Sequence, residues 1–422
     1  MSRANIFVVG MDKENLETLG DIPYAEDYRF HPLLSIEELQ QGEVVVPELI
    51  SKAQAKLDAF DGSIDAIVGY WDFPVSTIVP VLCERYGLRS NSLEAVAKCE
   101  HKYWSRLEQQ KATDAHPAFA LVDLSGTPQP PANVGFPMWL KPSISYSSEL
   151  AFGVKDEREF QEAVTQIREG IGRVGRPFEY ILDRLDLPPE VSAAGGEACL
   201  AEEALTGRQV AVEGYAYNGE VTVYGALDSV NHPDSSSFLR HQYPSALPGP
   251  VVARLRDISQ RVMRQIGTDS ATFSIEFFYD PETDVIKLLE INPRHSQSHA
   301  ELFQFVDGVP NHHCMVSLAL GRNPELPDKQ GPYEVAAKWY HRRFEDGRVR
   351  RVPTDEEVHR IEQEIPGVRI RIVPEEGQRL SDLPEQDSYS FELAQILIGG
   401  ENEKNMRDKF DRCVAALRFV CD

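Results

Sequence analysis

The stretch IEFFYDPETDVIKLLEINPRHSQSH, residues 275–299, sets two glutamates, Glu276 and Glu290, inside apolar runs of strand character. Between the runs stands YDPETD, dense in turn formers, so the spacing predicts a β-hairpin made from TFSIEFF and VIKLLEIN. Residues facing each other in an antiparallel hairpin have a constant sum of numbers. A turn centred near Thr283 therefore sets Glu276 opposite Glu290 and Ser274 opposite Asn292. Side chains two apart share a strand face, so these four make one polar patch, with Phe273, Ile275, Phe277, Leu289 and Ile291 on the other face.

Two neighbouring carboxylates on an apolar sheet repel each other, and each loses hydration, so something must neutralise them. Two Glu and one Asn offer only oxygen, which suits a hard divalent cation; Mg2+ carrying phosphates is the usual case for so few protein ligands. Two other arrangements satisfy the same residues. One glutamate faces solvent, or a Lys or Arg pairs with both; a one-residue slip in register would send a glutamate to the other face.

The 422 residues exceed one ordinary core, so two or three domains are expected. Acidic residues outnumber basic ones, 67 to 43, and the formal charge of -24 repels a phosphate backbone, so nucleic acid is not an expected partner. The opening MSRANIFVVGMDKEN holds an apolar run far short of the ~20 residues a spanning helix needs and unlike a signal peptide, which points to a cytoplasmic protein with no membrane partner. The six cysteines form no CxxC pair and read as buried free thiols.

NIFVVG (5–10) and DAIVGYWD (65–72) read as buried strands around the helical VPELISKAQAKLDAF, a βαβ unit that opens the chain with a parallel sheet. The helix PVSTIVPVLCERYG, ending at Gly87, suits a third such unit. No GxGxxG occurs, so the Rossmann-like reading of residues 1–91 concerns fold alone. A new domain begins near Ser92, a helix cap. Its strand candidates include FPMWLKPSIS, ACLAEEAL, RQVAVEGYAYNG and EVTVYGALDSV, the last two joined by the turn signal Asn218-Gly219. After about Pro324 short strands, turns and a closing helix suggest a small α+β domain, 325–422.

LLEINPRH, preceded fourteen residues earlier by SIEFF, resembles the metal-binding hairpin of the ATP-grasp enzymes, particularly their carboxylate-amine ligase and biotin-carboxylase-like branches. The resemblance covers most of the chain and implies a mixed α/β and α+β architecture: a Rossmann-like N-terminal domain, an ATP-grasp domain over 92–324 with a lid subdomain at about 112–198, and a small C-terminal α+β domain. It implies ATP and Mg2+ as cofactors, with Mn2+ as a substitute. Glu276, Glu290 and Asn292 correspond to the metal ligands, and Lys102 and Lys141 to the two phosphate-binding lysines. Glu202, with the backbone of Glu203 to Leu205, corresponds to the adenine-binding segment. Gln209 stands where a ribose-binding Glu is frequent. Arg294 resembles the arginine that holds the substrate carboxylate or the transferring phosphoryl group, a task its planar fork suits.

One departure concerns the lid. Many members carry a glycine-rich loop after the second lysine, whereas this chain has SISYSSELAFG, with serines at 143, 145, 147 and 148. The implied reaction is an ADP-forming carbon–nitrogen ligation: a carboxylate attacks the γ-phosphate, and an amine displaces phosphate from the acyl phosphate. The alternatives are activation of bicarbonate, as in biotin or purine carboxylation, and a catalytically silent nucleotide-binding protein. The expected partners are small carboxylates and amines; the sequence does not give the oligomeric state, for which a homodimer is one option because homodimers are frequent among soluble enzymes. Candidate substrate residues are Tyr146, Arg240 in the loop NHPDSSSFLRHQYPS, and His295 beside Arg294; His299 and the NHHC run at 311–314 read as packing.

Overall fold

The computed structural model describes residues 3–40, 42, 44–145, 150–383 and 390–422. Ala4–Val9 is the middle strand of a three-stranded parallel sheet, between Tyr28–Leu34 and Ala66–Val68. Phe7 and Val9 enter one apolar cluster and Ile6 and Val8 another, the two-sided burial that parallel strands need. Tyr28–Leu34, a strand not read from the sequence, contains Pro32. The strand lies at the sheet margin, where a residue without an N–H is tolerated. The expected third unit is absent: after the helix Val75–Tyr86, stopped by Gly87 at φ 64°, the chain runs into the helix Leu93–Glu100 with no strand between.

The centre of the molecule is an eight-stranded antiparallel sheet. Its order is Val285–Asn292, Ala271–Asp280, Arg208–Tyr217, Glu220–Asn231, Phe238–Tyr243, Val335–Arg343, Phe391–Gly400 and Val368–Ile372. Asn218 and Gly219 join Arg208–Tyr217 to Glu220–Asn231 with φ of 51° and 80°, the left-handed region that such a two-residue turn demands. The helix Gly249–Ile266 covers one face, packing Leu255 and Val262 on Val212, Phe273, Ile275, Phe277, Leu288 and Ile291. The last three strands in that order come from C-terminal residues, and the closing helix Glu403–Ala416 packs Met406 and Cys413 beside Trp339 and Ile396.

A second, four-stranded sheet runs Phe119–Val122, Cys199–Glu203, Met138–Pro142, Phe152–Val154 and is backed by the amphipathic helix Glu157–Gly170 through Phe160, Val164 and Ile167. The following helix, Gly172–Leu182, turns to the parallel-sheet unit, where Phe178 meets Phe73 with ring centroids 5.3 Å apart. All six cysteines are free thiols, and all but Cys421 are buried.

Candidate active site

The hairpin has the register read from its sequence: Glu276 pairs with Glu290 and Ser274 with Asn292. Nearer the tip, Tyr279 pairs with Ile286 and Asp280 with Val285, which centres the turn between Glu282 and Thr283. A bulge between Glu276 and Phe277 absorbs the half-residue difference. It also makes Leu288, at 0% exposure, the core residue where Leu289 was expected. The carboxylates stay on the polar face and neither is slipped to the core side.

Lys102 begins the helix Lys102–Ala112, and its Nζ lies 2.9 Å from Glu290 Oε1 and 2.7 Å from the Ser145 carbonyl. Gln209 donates to Glu276 Oε2 at 2.8 Å. Burial and the charge of Glu290 together push Glu276 up to about 7. Burial also opposes ionisation of Glu290, but Lys102 and Lys141 outweigh it and hold that carboxyl below its usual range. The hairpin thus carries more negative charge than its neighbours neutralise. Its donors are oxygens only, so Glu276, Glu290 and Asn292 fit a hard divalent cation. No cluster of three His, Cys, Asp or Glu placed for a metal occurs among the described residues.

Lys141, on Met138–Pro142, contacts Glu202 Oε2 at 2.6 Å. Glu202 also receives Arg106 Nε at 2.6 Å and Nη2 at 3.1 Å. Although burial raises its pKa, Arg106 and Lys141 bring Glu202 down to about 2, while burial lowers Lys141 despite Glu202. Arg106, four residues after Lys102, was not singled out from the sequence. It further donates to the Leu288 and Leu289 carbonyls, at 3.1 and 2.5 Å, and so ties the helix of Lys102 to the strand of Glu290. The expected base-facing role of the Glu202 side chain is corrected accordingly, because that side chain is enclosed by two cations. Glu203 to Leu205 form the passage from the four-stranded to the eight-stranded sheet, with the Glu203 carboxylate accepting from the Ala118 N–H at 2.7 Å.

Arg294 follows the hairpin and meets Asp72, from the loop after the last parallel strand, through Nε and Nη2, each at 2.7 Å. Glu100 stands nearby, pushed up to about 7 by burial and by Asp72. Glu213, paired in register with Ser274, is fully buried. It accepts from the Ser296 N–H at 3.1 Å and the Tyr224 hydroxyl at 3.2 Å and lies 3.0 Å from His299 Nδ1. Burial pushes it up to about 8. The signal for it was a lone Glu inside the apolar VAVEGYAY.

Two of the three candidate substrate residues, His295 and Arg240, do not join this group. His295 is fully buried, one ring nitrogen 3.1 Å from Thr272 Oγ1 and the other 2.8 Å from His312 Nδ1, so both its ring nitrogens are taken up inside the protein. Arg240 belongs to the strand Phe238–Tyr243 rather than a loop; it is buried against the Trp339 ring and bonded to Glu403 at 2.8 Å. Tyr146 lies outside the described residues, as do Ser147 and Ser148 of the serine-rich loop.

Residues 134–300, which hold the hairpin, Lys141 and Gln209, match the model of the ATP-grasp domain. The carbamoyl phosphate synthase large chain of Xylella fastidiosa is 25% identical over 243 residues, 56% of this chain. The chain spans about a fifth of that relative's length, 20%. A D-alanine–D-alanine ligase of Acidiphilium cryptum is 33% identical over 102 residues, 23% of this chain and 33% of the relative. The crystal structure of an L-amino acid ligase from Bacillus licheniformis superposes with a TM-score of 0.76 at 15% identity, covering 100% of both chains, which is a likeness of fold. No helix among the described residues is long and apolar enough to cross a membrane. Residues 134–300 thus carry an ATP-grasp domain, within a chain whose fold is like that of the amino acid ligase along its whole length.

Proposed function

We propose that the protein is an ATP-dependent ligase that joins a carboxylate to an amine through an acyl phosphate, releasing ADP and phosphate. The observation that carries this reading is the pairing of Glu276 with Glu290 across one hairpin, beneath lysines delivered from outside it and beside Arg294. Phosphoryl transfer needs positioning and charge neutralisation more than a protein nucleophile, and these groups offer both.

Mg2+ held by Glu276, Glu290 and Asn292 supplies charge neutralisation at the phosphate oxygens when bound. Lys102 and Lys141 bind the outer phosphate oxygens, each exchanging a carboxylate partner, Glu290 or Glu202, for the nucleotide. Gln209 orients Glu276 and stands at the place for a ribose contact. Glu203 to Leu205 offer backbone groups to the base. Asp72 occupies Nε and Nη2 of Arg294, which leaves Nη1, now 3.3 Å from the His295 carbonyl, as the edge that meets the acid and then the acyl phosphate.

ADP release from ATP and Mg2+ in the presence of pooled amino acids, with and without bicarbonate, tests the reading. Release that depends on an acid and an amine together is the expected result. Release that needs bicarbonate instead replaces it with carboxylation, and ATP binding without ADP release under any pool replaces it with a silent nucleotide-binding protein.

A further inference from the structure

The polar face of the large sheet continues well past the hairpin. Backbone register links Gln209 to Ser229, Ser229 to His241 and His241 to Lys338, and residues paired directly across strands share a face. Gln209 holds Glu276. The row therefore starts beside the proposed metal ligands and reaches Lys338 after three inter-strand steps, about 14 Å at roughly 4.8 Å each. Tyr340 lies on the same face, two residues beyond Lys338, and its hydroxyl is 2.9 Å from His241 Nδ1. The His241 ring meets that of His299 edge-on, with centroids 5.1 Å apart.

Charge around Lys338 does not balance. Arg342 pairs with Glu392 at 2.6 Å, Arg369 with Glu301 at 3.1 Å, and Arg371 with Glu14. Each nearby carboxylate is thus engaged by an arginine. The Lys338 side chain has no ion pair or hydrogen bond of its own among the described residues. It is half-buried, and burial lowers its pKa although Glu301 and Glu14 pull the other way. An unpaired ammonium drawn partly out of water is costly. It also stands out in a chain whose formal charge is -24.

We infer that Lys338 binds a carboxylate carried by the amine substrate, which makes that substrate an amino acid or a peptide rather than a simple amine. The inference rests on the ligase reading of the site. Arg294 takes the carboxylate that is activated, so an anion at the far end of the row belongs to the molecule that attacks. The stem of Lys338 rises off the same face of the sheet as Gln209, and the span of about 14 Å between them accommodates the acyl group and an α-amino acid in line.

The test is calorimetric binding of the common L-amino acids, each against its own carboxamide, to the full chain with Mg2+ and a non-hydrolysable ATP analogue. At least one free acid should bind the wild type tenfold or more tightly than its carboxamide. Lys338→Gln should bring that ratio to near one with nucleotide affinity kept, and Lys338→Arg should restore part of it. Acid and carboxamide binding the wild type equally, or a preference that survives in Lys338→Gln, overturns the inference. ADP release is read in parallel. Release that depends on the pools, with no role for Lys338, sinks this inference alone; a Lys338-dependent preference without any ADP release sinks the ligase reading and leaves the anion site standing. A preference lost in Lys338→Gln for the activated acid, rather than for the amine, overturns the assignment to the attacking substrate.

Discussion

Asp72 and Arg294, 222 residues apart, are joined by two parallel hydrogen bonds of 2.7 Å, and the pair locks the loop after the parallel sheet to the loop after the carboxylate hairpin. A two-pronged pair of this kind sets the plane of the guanidinium as well as its place.

Asp72→Asn keeps the shape of that partner but removes its charge and one acceptor. The expected result is a fall in kcat/KM for the acid of about 10- to 100-fold, with the KM for ATP within about twofold, since Arg294 is set free to turn while the phosphate lysines are untouched. Steady-state kinetics with each substrate varied in turn decides it. An unchanged kcat/KM for the acid counts against Arg294 as its holder.

Glu290→Gln preserves the size of the side chain and deletes half of the carboxylate pair. ADP release should drop by about a thousandfold or more, because positioned charge is the main contribution to this chemistry. The melting temperature should stay within a few degrees, since the replaced side chain is at the surface of the site and not in the core; its side-chain exposure is 33%. Turnover at the wild-type rate would refute the metal assignment.

Arg106 has a mainly architectural part. Its side chain and that of Glu202 are each 3% exposed, so Arg106→Ala leaves a buried carboxylate with Lys141 as its remaining ion-pair partner. The expected loss is about 3 kcal/mol of unfolding free energy in urea. A loss below about 1 kcal/mol would mean that water replaces the guanidinium with ease.

Glu213 predicts a pH dependence whose sign follows from its environment. Its pKa is pushed up from 4.5 to about 8 by burial. Between those values the folded protein keeps a proton that the unfolded chain has released. Its contribution to stability is therefore full below pH 4.5 and is lost as the pH rises through about 8. Glu213→Gln removes this dependence, so its unfolding free energy should improve relative to wild type as the pH rises across that window. Urea titrations at several pH values give the answer, and two parallel curves would show that Glu213 titrates normally.

The hairpin was legible because its information is local: period-two alternation, a turn-forming hexapeptide and a constant sum of residue numbers place four polar side chains together. Lys102 and Lys141 were reached through resemblance, and their partners were not. Arg106 with Glu202 is a contact over 96 residues and Asp72 with Arg294 one over 222, and no periodicity connects positions so far apart. Arg240 misled for a different reason. The residues before it, HPDSSS, have loop composition, and only pairing with Asn231 to Asp228 on one side and with Trp339 on the other turns FLRHQY into a strand. Tyr28–Leu34 shows the converse, a proline tolerated because of where its strand lies.

The shared eight-stranded sheet also decides what happens when the chain is cut. Phe238–Tyr243 is bonded on one side by Val335–Arg343, so a chain ended at Pro324 would present that strand's bare N–H and C=O groups to solvent. Such a ladder templates pairing with another molecule. The shortened protein should therefore self-associate at concentrations where the full chain is dispersed, visible by sedimentation velocity, and the C-terminal hundred or so residues act as a guard against it.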